Sequence, residues 1–404
     1  MLKLLAPFAV AYFLSYHFRT LNTVIGPILR EELALSAAEI GFLSSAYFIA
    51  FGAAQLPLGI LLDRFGARRV ESALLLIAAI GAGIFASART VGMLAFGRAM
   101  IGIGVSACLM AALKCFANCA PPERQASLTG WIMTSGSFGA LAASTPLDFA
   151  LRWTDWRAIF LGLAIAALAV AALIFFNAPE QIATEKRESL KTQIDGLREV
   201  FFSRNFWRFA PVGLAQVGGF MSVQSLWSSA WLIHVNGHTR SGAAQYIATM
   251  SVAMMISYSM IGLLSTRLAR RGISTLGLLI GGMSLSLLTL ALIITRATDQ
   301  HYLLWAAFGL FSSCGTMVYP LASACFPPRL SGRASTTVNL LAFTGAFGMQ
   351  WGMGLIIDLL QERGYTVTQA YQGAFIVLFC GQFFAWVWLI AGGKNDPATK
   401  CASL

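Results

Sequence analysis

The sequence predicts an all-α, polytopic membrane protein of twelve transmembrane helices arranged as two six-helix bundles. Three observations carry that expectation. The 404-residue chain is 57% hydrophobic and only 11% charged, against about 25% charged in a typical soluble domain, so charged side chains cannot cover a water-facing surface of this size. Apolar runs recur along the whole length, each of about 20 residues, enough to cross a ~30 Å hydrocarbon core as a helix; the ~10-residue alternating segments of a membrane barrel are absent. Finally, the second half of the chain repeats landmarks of the first.

The expected spans are about 5–29, 39–61, 71–88, 92–117, 126–149, 158–177, 209–235, 243–264, 274–295, 302–325, 334–357 and 372–393. The first run is too long for a cleaved signal peptide and has no small-x-small cleavage site behind a short core. The net charge of +11 suggests nucleic acid until its distribution is read. Of 28 Lys and Arg, 18 fall on one set of segments (Lys3, Arg64, Arg68, Arg69, Arg124, Lys186 to Arg208, Arg267, Arg270, Arg271, Arg329, Arg333 and the tail), seven on the alternate loops and three within spans. That is the positive-inside bias. It predicts a cell (inner) membrane protein with both termini cytoplasmic, a lipid partner and no nucleic-acid partner.

The seven cysteines form no CxxC pair and no cluster of zinc spacing, so no metal site is expected. Cys115 and Cys119, one helical turn apart, read as inert thiols. Cys401-Ala-Ser-Leu404 matches a prenylation pattern, taken as chance in a chain already anchored by its spans.

Gly59-Ile-Leu-Leu-Asp63-Arg64-Phe-Gly66-Ala-Arg68 recurs as Gly262-Leu-Leu-Ser-Thr266-Arg267-Leu-Ala269-Arg270-Arg271; Cys119-Ala-Pro121-Pro122 recurs as Cys325-Phe-Pro327-Pro328; Gly136-Ser-Phe138-Gly139 recurs as Gly345-Ala-Phe347-Gly348. The matches keep their order at an offset of half the length, so the halves are parallel repeats. Residues 1–177 form the first bundle and 209–404 the second. Between them, 178–208 is a charged cytoplasmic linker in which Leu190, Ile194, Leu197 and Phe201 predict an amphipathic helix on the membrane surface.

With these features in place the chain resembles the major facilitator superfamily over its whole length. Gly59-x₃-Asp63-Arg64-x-Gly66-x-Arg68-Arg69 is similar to that family's best-known loop signature, and Arg98-x₃-Gly102-x-Gly104 to its second motif. Glycines allow close backbone approach and a tight turn, and Asp63 offers an acceptor to Arg64, Arg68 or a facing helix N-terminus. The resemblance implies a latch that holds the bundles together in one state of a rocking cycle, with Asp63→Asn crippling cycling but sparing binding. Thr266 and Ala269 replace Asp63 and Gly66 in the second copy, so only the first half carries a strong latch. Proton coupling is also implied by the resemblance, but no residue identifies the proton site. No other cofactor is expected, and one chain suffices as a functional monomer.

Arg19 stands near the middle of the first span. An arginine there costs about 2.5–3.5 kcal/mol on insertion scales. At 100° per residue, Tyr12, Ser15, Tyr16, Asn22, Thr23 and Gly26 fall within about 60° of it, a polar stripe suited to a water-filled cavity. His17 points elsewhere and is expected to bond between helices. All seventeen Asp and Glu lie in loops or near span ends, so the cargo itself is a candidate counter-ion for a guanidinium that suits carboxylate or phosphate. Tyr16-x-x-Arg19 is similar to the first-span signature of facilitators that carry organic anions and organophosphates. Phe18 replaces the Asp of many of those symporters, and the seventh span lacks their second Arg, which favours a monoanion. The alternative is a structural Arg19 bonded to carbonyls or side chains.

In the seventh span, Phe220, Gln224, Trp227, Ser228 and Trp231 fall on one helical face. Gln224 and Trp227 are candidate cargo contacts, with an interfacial Trp belt as the alternative. Tyr319 is a further candidate. Arg98 is read with the latch arginines as holding helices together, or else as completing the anion site. The function expected is secondary active transport of a small organic anion, a carboxylate above all, by alternating access at a site between the bundles. A carrier of a neutral or drug-like compound is the alternative, and a transport-inactive sensor the remote one. No HExxH, GxSxG or GxxxxGK[ST] occurs, so an enzyme is not expected.

Overall fold

The computed structural model describes residues 2–119, 122–179, 190–270 and 274–392, in which every regular element is a helix and none is a strand. Residues 180–189 of the linker, 120–121 and 271–273 within the repeats, and the tail with Cys401-Ala-Ser-Leu404 lie outside the described residues. So do the side chains of Leu190, Ile194 and the segment 262–270. The chain divides into two compact units, Met1–Glu188 and Ser189–Leu404. Among the described residues, seven helices are long and apolar enough to cross a membrane.

One of those helices accounts for two expected spans. Ala37–Ser87 runs for 51 residues, about 76 Å at 1.5 Å per residue, more than twice the ~30 Å hydrocarbon core. It is broken at Gly66, whose φ of 78° is a conformation that costs any residue with a Cβ. The helix opens on a capping box: the Ser36 hydroxyl accepts from the Glu39 N–H (3.1 Å) and the Glu39 carboxylate from the Ser36 N–H (2.9 Å). Asp155 caps the sixth span by accepting from the Ala158 N–H at 2.7 Å.

Helix pairing follows the same scheme in both units. The first span packs on the fifth and the seventh on the eleventh; the fourth packs on the second and third, the tenth on the eighth and ninth; the sixth packs on the third, the twelfth on the ninth. Small residues set the closest approaches, as membrane helices require. A methyl on Gly102 would overlap the Tyr47 carbonyl, and one on Gly309 would meet the Met250 carbonyl at 2.7 Å. Gly139 likewise faces the Phe13 carbonyl and Gly345 that of Leu214. Away from these seams large apolar side chains face outward, among them Ile165 (68% exposed) and Phe384 (59%), a surface that lipid solvates and water does not.

Two departures from the expected geometry bear on function. The seventh span contains two π-helical stretches, Val212–Val217 and Val223–Trp227, a feature that often marks functional positions. The expected linker helix is present as Leu190–Phe201, but it packs on the eleventh span through a buried Val200 and Gly196, which lies against Arg333, while Phe201 is left exposed.

Candidate functional site

The first span forms helix from Leu2 to Thr20, is interrupted at Leu21, and resumes at Asn22. Arg19 is 6% exposed. Its guanidinium carbon lies 4.4 Å above the Tyr16 ring and 5.5 Å from that of Phe51, and it hydrogen-bonds the Tyr47 hydroxyl from the second span. Tyr47 in turn donates to the Ser15 carbonyl at 3.5 Å. Tyr12 stands edge-on to Tyr16, 5.1 Å between centroids. Tyr12, Tyr16 and Arg19 thus stay together as expected, with Tyr47 and Phe51 added from a helix that the sequence alone did not assign to the site. The aromatic faces hold the flat guanidinium by cation–π attraction while leaving its in-plane donors directional.

The rest of the stripe is corrected by the structure. Ser15 donates to the Val105 carbonyl (3.4 Å) and Asn22 to the Ser44 hydroxyl (2.8 Å); both are almost fully buried and join the first span to the fourth and second. They are interhelical bonds rather than a cavity lining in this conformation. His17 meets the Gly139 carbonyl of the fifth span at 3.3 Å.

Arg98, 1% exposed, donates from Nη1 to the Phe18 carbonyl at 2.8 Å and lies 4.9 Å over the Tyr47 ring. At the end of the bundle that bears the loop motif, Asp63 pairs with Lys114 of the fourth span. The expected partners Arg64 and Arg68 lie instead over Phe65 and Phe175, both at 5.1 Å. Gly66 makes the turn, whereas Gly59 has open space where a Cβ would stand, so the close approach expected there is not made in this conformation. At the other end Glu32 accepts from the Arg157 guanidinium and from the Trp156 indole (2.6 Å). Those bonds, Arg157 first, hold its carboxyl below the usual carboxylate range.

Glu71, the first residue of the expected third span, is fully buried, with the Cys108 thiol of the fourth span against it. Nothing in the pattern signals this, because position 71 sits at the edge of an apolar run and its depth depends on where Gly66 breaks the helix.

In the second unit the candidates separate. Gln224 donates to the Met254 sulfur at 3.0 Å; Trp227, 1% exposed, donates to the Gln350 carbonyl at 3.0 Å and abuts Tyr371; Trp231 packs on Phe375, 4.5 Å between centroids; Phe220 packs on Phe308. The π-helical stretches turn by more residues per turn than the 3.6 assumed, so these positions do not share one face. Trp231 and Trp227 are both buried, and neither presents an open wall. Tyr319 donates to Asn339 of the eleventh span at 3.1 Å. Buried amides of the seventh and eleventh spans bond between helices instead: Gln216 donates to Ser286 (3.3 Å), itself bonded to Ser312 (2.7 Å), and Gln350 of the eleventh donates to Ser225 of the seventh (3.2 Å).

Two compact, all-helical units with the same internal pairing and lipid-facing surfaces define a polytopic membrane protein built on an internal repeat. The chain belongs to the Major Facilitator Superfamily, whose family model matches residues 8–349. Among curated proteins it is similar to the "Probable sulfoacetate transporter" of Cupriavidus necator, 22% identical over 66% of this chain and 65% of that protein. It is also similar to the "Hexuronate transporter" of Escherichia coli K12, 27% identical over 43% of this chain and 42% of that one. The matched stretches therefore span less than two thirds of either relative. Among solved structures, a bacterial homologue of the human lysosomal transporter Spinster, inward-facing and unoccupied, matches with a TM-score of 0.77 over 98% of both chains at 16% identity, a likeness of fold.

Proposed function

We propose that this protein is a secondary active transporter of a small organic anion bearing a carboxylate, working by alternating access in the inner membrane with both termini cytoplasmic. The observation that carries the reading is the Arg19 cluster: a buried guanidinium on the first span, flanked by the Tyr16 and Phe51 rings and steadied by the Tyr47 hydroxyl. A planar fork of donors fixed by its neighbours suits a carboxylate, and its restricted motion lowers the entropic cost of capturing one. The relatives named for sulfoacetate and hexuronate support the same class of cargo.

A second reading has one specific support. The Tyr47 bond and the two rings also suit an Arg19 whose task is structural, with a neutral cargo carried elsewhere. Exchange in proteoliposomes separates the two, using labelled glucuronate as the probe. Competition by carboxylates and not by neutral sugars or lipophilic cations, lost in Arg19→Gln, is the expected result. Competition by neutral compounds alone, equal in both proteins, would overturn the anion reading.

A further inference from the structure

We infer that Glu71 is the residue that binds the coupling proton, an inference that rests on the proposed secondary active transport. Its carboxyl is 0% exposed, and neither oxygen has a hydrogen-bond donor of ordinary geometry. It lies five residues beyond the Gly66 break, about 7.5 Å of helix deeper. The group set against it is the Cys108 thiol of the fourth span, behind which stands Ser15 of the first.

The charged groups on the surrounding helices are engaged elsewhere. Arg68, one turn earlier, lies over Phe175; Lys114 pairs with Asp63; Arg98 bonds the Phe18 carbonyl; Arg19 bonds Tyr47. The sixth span carries no titratable residue from 158 to 177. Burying a carboxylate without a cation is strongly unfavourable, and the group neutralises instead. Glu71 is therefore held as the acid, its O–H at one carboxyl oxygen.

A structural role explains this poorly. Buried polar groups that hold helices together are satisfied by their bonds, whereas this carboxyl ties nothing down beyond a thiol, a weak partner. An ionisable group kept in such a place is a functional candidate, and its charge is set by access to water. Buried against Cys108 it keeps the proton; hydrated through the end that Gly66 and Asp63 occupy, it releases the proton to water and becomes a carboxylate. A proton carried together with a monoanion makes the loaded step electroneutral.

The test uses the full-length protein and Glu71→Gln in proteoliposomes. Infrared difference spectra of wild type minus variant should show the carbonyl stretch of a protonated carboxyl at neutral pH, which disappears at alkaline pH. No such band, or one that no alkaline pH removes, overturns the inference, since the proton is then either not bound or never released. This arm needs no cargo, so its outcome stands apart from that of the anion reading, which fails if wild type exchanges no anion. With glucuronate as probe, Glu71→Gln should retain exchange at equal pH but lose accumulation driven by a pH gradient; gradient-driven accumulation equal to wild type also overturns it. Because glutamine mimics the neutral acid, the variant should keep the wild-type melting temperature. Collapse of Glu71→Gln with Glu71→Asp intact would mean a structural carboxylate and would overturn it as well.

Discussion

Arg98 donates from Nη1 to the main-chain carbonyl of Phe18 at 2.8 Å. That carbonyl is the regular helical acceptor for the N–H of residue 22, and the helix is interrupted one residue before it, at Leu21. The fourth span thus takes a backbone acceptor from the first span immediately beside Arg19. Arg98→Gln should lose a charge-assisted bond of about 1.5–3 kcal/mol and lower the melting temperature in detergent. Arg98→Lys should recover part of the loss, because one of its donors still reaches a carbonyl. A melting temperature unchanged in Arg98→Gln would remove the structural role.

The motif glycines differ in what surrounds them, and their variants should differ accordingly. Gly102→Ala places a methyl on the Tyr47 carbonyl, a backbone atom that cannot move aside as a flexible side chain can, so overpacking of about 1–3 kcal/mol is expected. Gly309→Ala should behave similarly against the Met250 carbonyl. Gly59→Ala meets nothing within 4 Å and should leave stability unchanged. Parallel thermal melts of the three variants check the ordering.

Asp63 is paired with Lys114, yet its side chain remains 61% exposed, and exposed pairs contribute no more than about 1 kcal/mol. Asp63→Asn should therefore change the melting temperature little and leave cargo binding intact, while reducing the rate of net uptake. Lys114→Gln should give the same phenotype, because either change removes the same pair. Wild-type uptake by both variants would detach this pair from the transport cycle.

The Glu32 carboxyl, held low by Arg157 and then by Trp156, makes a pH-dependent contribution of determinable sign. A carboxylate depressed in the folded state adds stability above its unfolded value of 4.5, and that stability is lost as the pH falls through the folded value. Glu32→Gln should be slightly less stable than wild type at neutral pH, by less than about 1 kcal/mol for a pair this exposed. The difference should shrink as the pH falls below 4.5 and vanish once it has passed the lowered folded value. Melting curves of both proteins across that range test the sign.

Much of the fold was legible in the sequence because lipid imposes length and apolarity on every span, and the half-length repeat of Gly59 to Arg68 and of Gly136 to Gly139 announced two units. The Asp63 and Gly66 positions of the loop motif were legible as well. The partner of Asp63 was not, because Lys114 lies fifty-one residues away and only folding brings it near. The Phe220 to Trp231 face failed for a different reason: period arguments assume 3.6 residues per turn, and the π-helical stretches at Val212–Val217 and Val223–Trp227 break that assumption without a residue signature. Tyr47 and Phe51 escaped notice because aromatic residues in an apolar span look like ordinary packing until an arginine is found between them.

The most direct test of the anion-binding account is a thermal-shift screen of purified wild type and Arg19→Gln against carboxylates, sugar acids, phosphate esters and lipophilic cations. A ligand present at about 100 times its Kd stabilises by ~2.7 kcal/mol, a shift easily seen. The account predicts that a carboxylate raises the melting temperature of wild type and not of the folded variant. Equal stabilisation of both proteins by the same anions, or stabilisation by neutral compounds alone, would contradict it.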